Sequence, residues 1–114
     1  MTHEAMWLKV VDAAKKTTGI DIRERGGGRS SVGVSHVAGI VYTILSTYYS
    51  LRRTDVAELA GIDHGSVSYH VIRHDKRIKT NEKYKTRYDN IIEELFDIDN
   101  SDRYCMINEL IEQL

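Results

Sequence analysis

Apolar residues recur at helical spacing along most of the chain, and no stretch of useful length alternates as a strand would. Residues 4–17 put Trp7, Val10, Val11 and Ala14 on one helical face, and Thr18 and Gly19 end that helix. Residues 20–35 are the least regular part. A longer helix is predicted over about 34–50, with Val37, Ile40, Val41, Ile44, Leu45 and Tyr48 as its core face. Thr54 is placed to cap a short helix over 54–60. Gly61 supplies a residue that tolerates φ > 0, and Asp63 is placed to cap a second helix from His64. Val56, Leu59 and Ala60, then Val67 and Val71, have the spacing that packs two crossed helices. Thr80 or Asn81 caps the next helix, whose stripe is Tyr84, Tyr88, Ile91, Ile92 and Leu95. After a polar break, a last helix is predicted over about 102–114, with Tyr104, Ile107, Leu110, Ile111 and Leu114. The fold class expected is all-α: a small bundle of about six helices with short connections, containing a helix-turn-helix.

With 114 residues and no proline, one modest domain over 1–96 is expected, with 97–114 as an acidic helix appended to it. No run of 18 apolar residues is present, which argues against membrane insertion. The amphipathic N-terminus carries an early acid and does not read as a signal peptide. Cys105 is the single cysteine, so no internal disulfide forms. It reads as a buried structural thiol in a reducing cytoplasm.

The net charge of −1 hides a division along the chain. Residues 1–89 hold 15 Lys/Arg and 10 Asp/Glu, while residues 90–114 hold one Arg and seven acids. Residues 64–87 alone hold seven basic residues, two acids and three histidines. A basic module with an acidic tail is what a phosphate backbone would attract at one end only.

The candidate chemistry follows from that basic helix. Asp63, His64, Gly65 and Ser66 stand at its N-terminus, where side chains of a helix entering a major groove reach base edges. Asp63 is suited to a cytosine amine, His64 or Ser66 to a purine or thymine edge, and Gly65 to close backbone approach. Arg52, Arg53, Tyr69, Arg73, Lys76 and Arg77 are candidate phosphate contacts, giving affinity rather than sequence information. Arg25 and Arg29 flank Gly26, Gly27 and Gly28, a loop able to carry an arginine into a minor groove. His70 and His74 have the i, i+4 spacing of a metal clamp but lack a third ligand in pattern, so no metal is expected. Trp7, Tyr42, Tyr48 and Tyr88 read as core residues rather than base-stacking platforms.

Three pieces together resemble the C-terminal DNA-binding domain (domain IV) of the bacterial replication initiator DnaA. They are the basic loop before a long apolar helix at 23–36, the core VAELAGIDHGSV, and the later helix NEKYKTRYDNIIEEL. Asp63-His64 followed by Ser66-Val67 is the most specific piece, and the likeness spans about residues 6–96. It implies a Trp-repressor-like helical bundle that reads double-stranded DNA in both grooves. The turn is one glycine shorter than in that family. Ala60 stands for an aromatic, Ile62 for an arginine, and Gly65 for a hydroxyl residue whose methyl meets thymine. RGGGRSS has neither the lysine nor the preceding strand of a phosphate-binding loop, so no nucleotide, cofactor or enzymatic activity is expected.

The expected function is therefore sequence-specific binding of double-stranded DNA in replication initiation or its control, by a stand-alone domain such as a phage might carry. It would act in the cytoplasm, at a nucleoid or in a host cell. A repressor-type transcription regulator is the first alternative. A protein-interaction or self-association module using the acidic C-terminal helix is the second.

Overall fold

The structure, a computed structural model, describes residues 2–23 and 32–96, and for Val32 the backbone alone. These residues form five α-helices and no strand: α1 (His3–Thr18), α2 (Val32–Thr47), α3 (Arg53–Ala60), α4 (His64–Thr80) and α5 (Glu82–Phe96). The sixth helix predicted over 102–114, the acidic segment from 97 onward, Cys105, and the loop arginines Arg25 and Arg29 lie outside the described residues.

α2 is the axis of the bundle. Residues 37–45 are buried without a break, so the helix is covered all round rather than along one stripe. The sequence predicts a one-sided core face; the other four helices all pack on α2 and remove its polar side. Thr43 meets this environment by donating its hydroxyl to the Gly39 carbonyl at 2.8 Å. α1 and α4 both contact α2 but not each other, and α3 does not contact α5. One face of α4 is consequently left to solvent. Among the described residues, no helix is long and apolar enough to cross a membrane.

The helix ends are closed by local chemistry. Thr2 caps α1, its Oγ1 accepting from the Ala5 N–H at 3.1 Å. Beyond α1, Arg23 forks onto Asp21 with Nε and Nη2 at 2.9 and 2.8 Å. That hydrogen bonding holds the buried Asp21 carboxyl below its ordinary value.

Two predicted boundaries are corrected. α2 stops at Thr47, so Tyr48 falls past its end and is half exposed instead of joining the core. The cause is Leu51: its side chain is buried and its N–H returns to the Leu45 carbonyl at 3.0 Å, with Ser50 taking φ 55 to allow it. Thr54 does not cap α3. The helix starts one residue earlier, with extended Arg52 at the cap position. There the Asp55 carboxylate, three residues on, accepts from the Arg52 backbone N–H at 3.2 Å. An acid at the third helical position satisfies the end, which leaves Thr54 inside the first turn.

α3 ends as the sequence predicts. Gly61 sits at φ 69, the Gly61 N–H reaches the Glu58 carbonyl, and the Ile62 N–H reaches the Ala57 carbonyl. This double bond pattern is a Schellman closure, whose following residue is typically apolar. Ile62 fills that role by packing on the core. Asp63 then caps α4, its Oδ1 accepting from the Gly65 N–H at 3.2 Å. Two helices are thus joined by three residues, each with a defined task. At the far end of α4, Asn81 accepts from the Tyr84 N–H at 3.0 Å and opens α5, as one of the two residues that the sequence offers for this cap.

Candidate nucleic-acid interface

α4 has two unlike faces. Val67 and His74 are buried, and Val71 and Ile78 pack against the core. On the other side lie Gly65, Tyr69, Ile72, Arg73, Lys76 and Lys79, all exposed. Their spacing of three and four residues sets them in one outward stripe over the length of the helix.

At the N-terminal end, Asp63, His64, Gly65 and Ser66 are all exposed. Asp63 holds the cap, and its Oδ1 lies 4.0 Å from His64 Nδ1. A Cβ at Gly65 would have the Asp63 carboxylate as its nearest neighbour, at 3.0 Å from Oδ2. Neither packing nor backbone conformation therefore requires glycine here, although glycine disfavours a helix.

The six phosphate candidates separate. Tyr69, Arg73 and Lys76 lie on the outward stripe, and the Arg73 guanidinium stacks over the Tyr69 ring at 4.3 Å. Arg53 joins them from α3, with Nη1 donating to Ser68 Oγ at 3.2 Å. Arg52 is exposed but pairs with Asp55 at 3.1 Å. Arg77 turns the other way. Its Nη1 donates to His70 Nδ1 at 3.2 Å and its guanidinium lies 5.9 Å from the centre of the Tyr84 ring. Because arginine only donates, the His70 proton is carried on Nε2. A Cβ at Gly39 would stand 3.0 Å from Arg77 Nη1 and 3.2 Å from His70 Nδ1. That glycine is the notch in α2 that seats α4. Among the described residues, no Lys or Arg of α4 is in an ion pair. Arg73, Lys76 and Lys79 are therefore exposed and outside any ion pair, with Asp75 the one acid of α4.

His70 Nδ1 is engaged by Arg77 and His74 Nδ1 by the Tyr84 hydroxyl. Among the described residues, no group of three or more His, Cys, Asp or Glu could hold a metal. His74 instead belongs to a buried ring cluster that sequence reasoning missed. Its Nδ1 is 2.6 Å from the Tyr84 hydroxyl, and its ring packs edge-on against Tyr84 and Tyr88. His36 of α2 meets the Tyr84 ring edge-on as well. The signal was present: His70 and His74, like Tyr84 and Tyr88, are four apart on consecutive helices. Of these, His74 faces Tyr84 and Tyr88, while the His70 ring lies against Tyr42 and Tyr69. Burial pushes the Tyr84 phenol up to about 12, and it raises Tyr88, whose hydroxyl also meets that of Tyr48 at 3.2 Å.

Burial lowers the proton affinity of both His74 and His36. Arg77 adds to this at each, Arg87 adds further at His36, and Asp75 opposes it at His74. The folded state therefore holds both rings neutral where the unfolded chain would protonate them. Stability is complete above about pH 6.5, the ordinary histidine value, and is lost as pH falls below it. We expect the melting temperature to decline between pH 7 and pH 5, ahead of carboxylate titration. A flat or rising melting temperature over that interval would contradict the neutral-ring assignment.

The acidic side of the molecule lies elsewhere. A cleft of about 510 Å³ between α1 and α3 has Trp7, Leu8 and Leu59 in its walls and Glu4, Asp55 and Glu58 beside them. Its carboxylates would repel a phosphate backbone, in contrast to the exposed Arg73, Lys76 and Lys79 of α4.

No family model, curated protein or solved structure matches the chain.

Proposed function

We propose that this chain is a sequence-specific double-stranded DNA-binding protein whose α3–α4 pair is a helix-turn-helix with α4 in the major groove. The observation that carries the reading is the outward stripe of α4. It bears exposed Arg73, Lys76 and Lys79, none in an ion pair, and a tyrosine held by arginine, beginning at a bare glycine beside a capped helix end. A major groove about 12 Å wide admits a helix of this kind, and free cations along it release counterions from phosphates. His64, Ser66 and Asp63 are the base-reading candidates. Tyr69, Arg73, Lys76 and Arg53 are the phosphate contacts, with Arg52 available when its bond to Asp55 opens.

The support for a scaffold of the replication-initiator C-terminal type is the order of the elements: Asp63 capping α4, His64 and Ser66 exposed in its first turn, and α5 following with Tyr84 buried; the short turn and Ile62 depart from that type. On that likeness, the protein acts in replication initiation or its control, with Arg25 and Arg29 reaching a minor groove. A repressor built on the same scaffold would use the same face. Binding of this kind calls for no catalytic residue and no cofactor.

Selection from random duplexes at two salt concentrations tests this. Enrichment of one motif, with affinity falling steeply as salt rises, is the expected outcome. Absence of any enriched motif at either salt refutes the proposal. A sharper check uses Gly65. Gly65→Ala is expected to change stability by less than about 1 kcal/mol, since alanine's preference for a helix is offset by crowding of the Asp63 cap at 3.0 Å. Gly65→Leu should weaken duplex binding at least about tenfold, because a bulky side chain would stand where a bare backbone meets base edges. Equal binding by wild type and Gly65→Leu would remove Gly65 from the interface.

A further inference from the structure

We infer that Ile72 reads thymine: its side chain packs on the C5 methyl group of a thymine in the major groove, about three base pairs from the pair contacted at the α4 N-terminus. This rests on the DNA-binding proposal and assigns one part of what is read.

Ile72 is 69% exposed, the most exposed of the large apolar side chains among the described residues. Single exposed aliphatics are ordinary on protein surfaces, so exposure alone decides nothing. Its position decides more. Tyr69 stands three residues before it, half exposed, while Arg73 and Lys76 stand one and four residues after. A large aliphatic among exposed Arg73, Asp75 and Lys76 is a poor contact for another protein's apolar face, because docking there would strip water from three charges without pairing them. Against DNA the same arrangement is complementary. The cations meet phosphates at the groove walls, and the aliphatic group meets the one apolar feature of the groove floor, the thymine methyl.

The geometry gives a register. Ile72 lies seven residues after Gly65 on the same stripe. At 1.5 Å per residue the two are separated by roughly 10 Å along the helix axis. With that axis running along the groove, roughly 10 Å is about three steps of 3.4 Å along one strand. The β-branched side chain is already held to one χ1 rotamer within a helix, so little freedom is lost on contact. Gly65 has no methyl to offer, and Ile72 supplies an apolar contact further along the same face.

The test uses the duplex obtained by selection and the full chain. Each thymine is replaced singly by deoxyuridine, which removes the C5 methyl and leaves the pairing unchanged. Binding is read by fluorescence anisotropy. Wild type should lose about four- to tenfold at one position, about three base pairs from the strongest purine or cytosine determinant. Ile72→Ala should melt at the wild-type temperature, bind more weakly, and not distinguish thymine from deoxyuridine at that position. The inference is overturned if wild type tolerates deoxyuridine everywhere, or if Ile72→Ala keeps the discrimination. It is also overturned if Ile72→Ala changes only the oligomeric state; in each of these cases the DNA-binding reading stands. If selection yields no duplex, both fall together.

Discussion

Tyr84→Ala is expected to cost about 3–5 kcal/mol of stability, a large part of what a domain of this size has. Tyr84 is fully buried where α5 meets α4 and α2, with His36, His74 and Arg77 around its ring. Truncation leaves a cavity between three helices and strips the His74 Nδ1 of its partner at 2.6 Å. Tyr84→Phe separates these effects: it keeps the volume and should cost about 1–3 kcal/mol, the penalty of one buried polar group left unpaired. Urea unfolding at pH 7 reads both, as a lower midpoint with an unchanged slope. A Tyr84→Phe protein as stable as wild type would mean that the hydroxyl contributes nothing at this seam.

Replacing Arg73 and Lys76 together by alanine should weaken duplex binding by roughly ten- to a hundredfold at low salt. The slope of log affinity against log salt should become shallower by about two, one unit for each phosphate that is no longer neutralised. Stability should barely move, because both side chains are exposed and outside any ion pair. Arg77 is the internal contrast. Sequence proximity groups it with Arg73 and Lys76, but its guanidinium is bonded to His70 over the notch at Gly39. Arg77→Ala should therefore lower the melting temperature and leave the salt slope nearly intact. The reverse pattern, a changed slope with unchanged melting, would put Arg77 on the DNA and the α4 stripe in doubt.

The α3–α4 connection shows how far local sequence reaches. Gly61 at positive φ and Asp63 at the α4 cap are both readable from residue type, because each solves a problem confined to four or five neighbouring residues. Most of the buried positions of α1 and α5 are likewise legible from periodicity. Thr54 misleads for the same kind of reason: two local solutions compete, and the Asp55 carboxylate closes the end. Tyr48 is not readable locally, since what removes it from α2 is burial of Leu51 against the bundle.

The site divides in the same way. Which residues are basic, and that they cluster on one helix, is a property of the chain. Which of them point outward depends on the phase of α4 against α2, and that phase is fixed by packing: Val67 and His74 buried, Gly39 leaving room for His70 and Arg77. Ile72 illustrates the difference. It adjoins Val71 in sequence, and only the phase sends one toward the core and the other to solvent. The sequence by itself determined the five helices of the described residues, most of their caps and the separation of basic from acidic segments, because these follow from propensity, hydrogen bonding over one turn and charge. The tertiary structure decided that α2 is enclosed, that His74 is a buried partner of Tyr84, and that the open face of α4 carries Tyr69, Ile72, Arg73 and Lys76. Those outcomes depend on which surfaces the other helices leave uncovered, and no single helix carries that information.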